Sequence, residues 1–80
     1  MPRRECFLYM TDDCALCDEA LTMLLESNAL RGVVLTSVDV ATNDDLFESF
    51  GESIPVLAYL GKSLTWPFSV EEAIELLNSG

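Results

Sequence analysis

Two hydrophobic rhythms alternate along this chain, unbroken apolar runs and stretches in which apolar residues return every three or four positions. Glu5 to Met10, with Cys-Phe-Leu-Tyr-Met uninterrupted by polar residues, reads as a strand buried on both faces. From Cys14 to about Asn28, Leu16, Ala20, Leu21, Leu24 and Leu25 form a helical stripe, with Met23 beside it and Asp18, Glu19 and Glu26 on the wetter side. Asp12 or Asp13 is placed to cap its start, and Gly32 follows its end. Val33 to Val40, rich in β-branched residues, reads as a second strand. Thr42-Asn43-Asp44-Asp45 is a helix-start signal, followed by Leu46, Phe47 and Phe50 on one side and Gly51 as a stop. Ile54 to Leu60 is a strand opened by a proline, Gly61-Lys62 a tight turn, and Ser63 to Trp66 a short partner strand. Ser69-Val70-Glu71-Glu72 matches a capping box, and Val70, Ala73, Ile74 and Leu77 make the buried face of a last helix.

The order β-α-β-α-β-β-α constrains topology. A helix joins the first two strands, so they should be parallel with a right-handed crossover, while the last two should form an antiparallel hairpin. The expectation is an α/β fold with a four-stranded mixed sheet flanked by three helices packed on both faces, residues 1–80 forming a single domain. Eighty residues are near the lower end of what folds unaided, and a 50% hydrophobic composition is enough for a core.

Charge narrows the partners. Fourteen acidic residues against four basic ones give a formal charge of −10, which opposes nucleic acid and anionic lipid. The plainest consequence of the acid excess is solubility. The opening Met1-Pro2-Arg3-Arg4 has no long apolar run behind it before Thr11, so a signal peptide is not expected, and no stretch approaches membrane-spanning length. Three cysteines without framework spacing point to a reducing cytoplasm.

The chemistry concentrates at Cys14-Ala15-Leu16-Cys17. A thiol at the first turn of a helix meets unpaired N–H groups and the positive end of the helix dipole, and both favour the thiolate. A cysteine three residues on lies on the same face, close enough to close a small disulfide ring, so the pair reads as a dithiol that can be oxidised and reduced. Cys14 is assigned as the attacking thiol and Cys17, a turn deeper, as the resolving one. The helix end stabilises a thiolate by about 0.3–1 kcal/mol when exposed. Repulsion from Asp12 and Asp13, screened within roughly 10 Å, should cost less. The expected Cys14 pKa therefore lies somewhat below that of a free thiol. Cys6, mid-strand, reads as a buried small hydrophobe.

Together with Ser53-Ile54-Pro55-Val56-Leu57 at the start of the third strand, this motif and the element order resemble the small glutaredoxin-like proteins of the thioredoxin fold. The resemblance implies dithiol–disulfide activity and a cis Ile54–Pro55 bond facing the cysteines. Pro55 has two readings, a strand-opening proline or a wall beside the dithiol with the Ile54 backbone pairing to a substrate. The resemblance favours the second. Thr11 either caps the helix or touches substrate. The chain departs from the better-studied glutaredoxins at two places. Asp12 and Asp13 stand where those proteins carry a basic residue, and Trp66-Pro67-Phe68-Ser69 stands where they carry a Gly-Gly pair and an aspartate that hold glutathione. Glu71 and Glu72 also fill the anion-attracting start of the last helix. Glutathione is the reductant the resemblance suggests, and these residues oppose it. Tyr59 and Trp66 read as hairpin core and Phe68 as a hydrophobic staple reaching Ala73.

The leading reading is a cytoplasmic, monomeric thiol–disulfide oxidoreductase without cofactor or metal, acting on a protein or low-molecular-weight disulfide. Two alternatives stay open. CxxC supplies two thiolates toward a zinc or cluster site completed by a second copy or by glutathione, histidine being absent. A redox-inactive binding module on the same scaffold is the other.

Overall fold

β1 (Arg4–Met10) lies between two unlike neighbours. On one side β2 (Val33–Asp39) runs parallel, in register from Arg4 opposite Val33 to Met10 opposite Asp39. On the other, β3 (Val56–Tyr59) runs antiparallel with Leu8 opposite Leu57, and β4 (Lys62–Thr65) pairs antiparallel to β3. The sheet order is β2-β1-β3-β4. The computed structural model describes residues 4–78; the opening Met1-Pro2-Arg3 lies outside them. Three helices complete the fold, α1 (Ala15–Glu26), α2 (Asp44–Phe50) and α3 (Val70–Leu77), with a 3-10 turn at Val40–Thr42. The helix-linked strands are parallel and the hairpin antiparallel, as the element order requires.

Register sorts the strand side chains onto two faces. On one, Cys6 and Leu8 of β1 and Leu57 and Tyr59 of β3 pack with Ala20 and Leu24 of α1 and Ala73, Leu76 and Leu77 of α3. Each fully buried leucine there is worth about 1.5–3 kcal/mol relative to an exposed one. The other face differs from the sequence expectation. Phe7, Tyr9 and Ala58 are only half-buried, so β1 is fully covered on one side alone. α2 reaches this face at one end, where the Phe50 ring stacks on Tyr9 with centroids 4.5 Å apart and planes at 14°. It buries no residue completely, and Phe47 stays 59% exposed. A seven-residue helix is about 10 Å long, too short to span the sheet.

Local signals behave unevenly. The α3 capping box forms in both directions, Glu72 N–H donating to Ser69 Oγ (3.0 Å) and Ser69 N–H to Glu72 Oε1 (3.0 Å). Phe68 and Ala73 are both buried in the core cluster. Asn43 Oδ1 caps α2 by accepting from Leu46 N–H at 3.1 Å. α1 ends at Glu26 with Ser27 as cap, and Gly32 follows, turning the chain into β2 at φ 74°. β2 stops at Asp39, because its carboxylate takes the Ala41 N–H (2.9 Å) and winds the next residues into the 3-10 turn. The hairpin turn falls on Leu60-Gly61 rather than Gly61-Lys62. Both residues have positive φ (49° and 79°), as a tight two-residue hairpin loop demands, and Lys62 pairs with Tyr59. At the opposite corner Arg4 Nη1 donates to the Leu77 carbonyl (3.0 Å) and Asn78 Oδ1 (3.2 Å), tying the end of α3 to the start of β1.

Candidate functional site

The loop from β1 to α1 sets the dithiol in place. Thr11 is half-buried where β1 ends, and Asp12 and Asp13 are exposed. Asp13 takes a left-handed conformation (φ 58°), which aspartate tolerates better than most residues, and the chain reverses there. Cys14 follows in extended conformation and is itself the N-cap of α1. Its Sγ accepts the Cys17 N–H at 3.2 Å, and its carbonyl accepts the Asp18 N–H at 3.1 Å. The capping expected of Asp12, Asp13 or Thr11 therefore falls to the cysteine sulfur. Ser, Thr, Asp and Asn lead the usual preferences for this position, so composition gave no sign of it.

Cys14 and Cys17 are joined as a disulfide, their Cα atoms 5.2 Å apart, inside the range such a bond needs. The two differ in access: Cys14 is half-buried while Cys17 is 0% exposed. Leu16, 50% exposed, presents an apolar surface on the same turn. The pair thus has one sulfur at the rim and one beneath it.

β3 begins at Val56, opposite Tyr9 near the end of β1, so Ile54 and Pro55 leave the sheet at the same end as the Thr11–Cys14 loop. The Ile54–Pro55 bond is cis, and so is Trp66–Pro67, which the sequence did not announce. Pro55 is fully buried and its carbonyl accepts the Trp66 N–H at 3.1 Å. Ile54 is half-buried and donates its N–H to the Phe50 carbonyl at 3.0 Å. Backbone pairing by Ile54 is therefore confined to its carbonyl. Trp66 and Phe68 meet edge to face, centroids 5.1 Å apart, and fill the connection between β4 and α3 with aromatic bulk.

Cys6 stands apart from the site. It is a free thiol with 0% exposure in the main core, four residues before the end of β1, about 13 Å along the strand. Burial, with a smaller push from Glu5, raises its pKa against the lowering effect of a backbone hydrogen bond. Among the described residues no three of His, Cys, Asp and Glu gather as a metal site would require, and no helix is long and apolar enough to cross a membrane.

Comparison with known proteins now adds to this geometry. Residues 5–78 match the family described as Glutaredoxin-like domain (DUF836). The X-ray structure of the Northeast Structural Genomics target protein XcR50 from X. campestris superposes with a TM-score of 0.78 at 33% identity, covering 94% of this chain and 97% of that one. The solution structure of the same target gives 0.77 at 32% identity, with 94% of each chain covered. No curated protein matches. The sheet order, the Cys14–Cys17 pair and a family match across nearly the whole length agree, and the chain belongs to the glutaredoxin-like domain family, with the thioredoxin fold.

Proposed function

We propose that this protein is a thiol–disulfide oxidoreductase acting through Cys14 and Cys17. The observation that carries this reading is the bonded pair itself, with Cys14 half-buried at the helix start and Cys17 wholly buried beneath it. In the reduced protein the Cys14 thiolate attacks one sulfur of a substrate disulfide and expels the other as a thiolate, which takes up a proton. Cys17 then loses its proton and attacks Cys14 Sγ in the mixed disulfide, releasing the second substrate thiol. Two electrons pass from the dithiol to the substrate, and the protein is left with the Cys14–Cys17 bond. An external dithiol, or two monothiols, closes the cycle by the reverse exchange.

The chain prepares each step. The Cys17 N–H that reaches Cys14 Sγ in the disulfide remains aimed at that position when the sulfur is a thiolate, and the α1 dipole adds to it. The Ile54 carbonyl is the backbone group that would accept an N–H from an extended substrate, with Pro55 behind it shaping the wall and half-buried Thr11 in the loop before Cys14 at the same end of the sheet. Substrates are protein or low-molecular-weight disulfides, the setting is a reducing compartment, and the working unit is a monomer. Glutathione is disfavoured as reductant, since Glu71 and Glu72 head α3 and Trp66 and Phe68 occupy the connection before it.

Trapping tests the reading. A Cys17→Ser variant should accumulate mixed disulfides through Cys14, identified by mass spectrometry, and a Cys14→Ser control should not. Equal capture by the two, or none by either, would overturn it.

A further inference from the structure

The register of the sheet sets the described cations apart from the dithiol, while carboxylates occur at both ends. The dithiol end collects acid. Asp12 and Asp13 precede Cys14, and Asp18 and Glu19 follow Cys17, all four exposed. α2, whose Phe50 stacks on Tyr9 at this end, opens with exposed Asp44 and Asp45, and exposed Glu52 stands two positions before Ile54. β4 ends here opposite Val56, so α3 also starts here, with Glu71 and Glu72 in its first turn.

The described cations lie at the other end. Arg4 opens β1 and holds the last turn of α3, Arg31 sits in the turn that leads into β2 beside it, and Lys62 follows the hairpin loop, where it lines a pocket with Glu72 and Glu75; Glu5 and Glu26 also lie away from the dithiol. Among the described residues no carboxylate is paired with a cation, so the acidic end is not neutralised from within the fold. The fields of nearby carboxylates add at the point where a substrate disulfide must approach Cys14.

From this separation we infer that the substrate is a cationic disulfide, one whose sulfurs are flanked by ammonium or guanidinium groups. The inference rests on the thiol–disulfide reading above and names the substrate class for that site. A field of one sign steers oppositely charged ligands and raises their association rate by roughly ten- to a thousandfold, steeply reduced by salt. The exchange is the one already written, two electrons passing from Cys14 and Cys17 to the substrate sulfurs. The field acts on encounter and on the mixed disulfide, where a substrate cation lies against Asp12, Asp13 or Asp18. Glutathione disulfide, a net anion, is repelled by the same groups.

The test follows oxidation of the reduced full chain by three small disulfides: cystamine (cationic), bis(2-hydroxyethyl) disulfide (neutral) and glutathione disulfide (anionic). A lysine-flanked cystine peptide forms a fourth arm, separating an extended cationic substrate from a small amine. Each rate is divided by that of dithiothreitol with the same disulfide, which removes intrinsic differences in sulfur reactivity. At low salt the normalised rates should fall in the order cationic, neutral, anionic, with at least about tenfold between the extremes. Added salt to about 1 M, where the screening length is near 3 Å, should draw them together. A double variant Asp12→Asn, Asp13→Asn should lower the ratio of cystamine to neutral rates. Asparagine is chosen because it also tolerates the left-handed conformation at position 13. Equal normalised rates with no salt dependence would overturn this inference and leave the exchange chemistry standing. Failure of all the disulfides to oxidise the pair would overturn both.

Discussion

The backbone N–H of Cys17 points at the sulfur of Cys14, 3.2 Å away, so the residue that resolves the mixed disulfide also steadies the sulfur that forms it. That single contact is at once a helix cap and a feature of the reactive site, and it gives substitutions at position 14 a double reading.

Serine at position 14 keeps the cap and loses the nucleophile. Cys14→Ser should be as stable as the reduced protein, or slightly more stable, because serine is a preferred N-cap residue. Its disulfide exchange should fall to background. Cys14→Ala should lose both, at a stability cost of about 1 kcal/mol. Urea unfolding of the two variants against the reduced parent, beside an exchange assay, checks both halves. Equal stability of the alanine and serine variants would contradict the cap.

Cys6 should make stability fall at alkaline pH. Burial raises its folded-state pKa, so between its unfolded and folded values the folded protein holds a proton that the unfolded chain has lost. The contribution is fully present below the unfolded value, about pH 8.5, and is lost as pH rises through the folded one. With the Cys14–Cys17 disulfide intact, urea midpoints of the parent protein should drop more steeply between pH 8 and 10 than those of Cys6→Ala. Parallel slopes would show that Cys6 is not held protonated.

The two phenylalanines of α2 should differ sharply. Phe50 stacks on Tyr9, an aromatic pair worth about 0.5–1.5 kcal/mol beyond the area it buries, so Phe50→Ala should destabilise by about 1–3 kcal/mol. Phe47, 59% exposed, should cost under about 0.5 kcal/mol. Thermal unfolding of both variants tests which ring anchors the helix.

Arg4→Gln removes the guanidinium that bonds the Leu77 carbonyl and Asn78 Oδ1 at the end of α3. The expected loss is about 1.5 kcal/mol, the low end of the range for a hydrogen bond to a charged group because the site is partly solvated. Hydrogen exchange should report it as faster opening of the last turn of α3, with α1 unaffected.

Much of this architecture was legible in the residues, because period and punctuation agree. An apolar run marks β1 and β-branched residues mark β2, the Asn43 and Ser69 caps mark α2 and α3, and the element order leaves few topologies. What escaped depends on distance rather than pattern. The apolar side of α2 is visible in Leu46, Phe47 and Phe50, but not that so short a helix covers only the Tyr9 end of the sheet. The hairpin turn shifted by one residue because a leucine at φ 49° is an uncommon choice, and the glycine beside it drew the turn forward. At the site, CxxC located the sulfurs but not their cap. Loss of the Ile54 N–H to the Phe50 carbonyl depends on how residues 50–54 turn, which no local motif records.

The most direct measurement is to mix reduced protein with a limiting disulfide, quench with an alkylating agent, and map the products by mass spectrometry. Here the parent protein should yield the intramolecular Cys14–Cys17 bond with one equivalent of disulfide consumed. Cys17→Ser should stop at an adduct on Cys14, and Cys14→Ser should react far more slowly through its buried Cys17. An adduct forming first or equally fast on Cys17 would contradict the assignment of the outer sulfur as nucleophile.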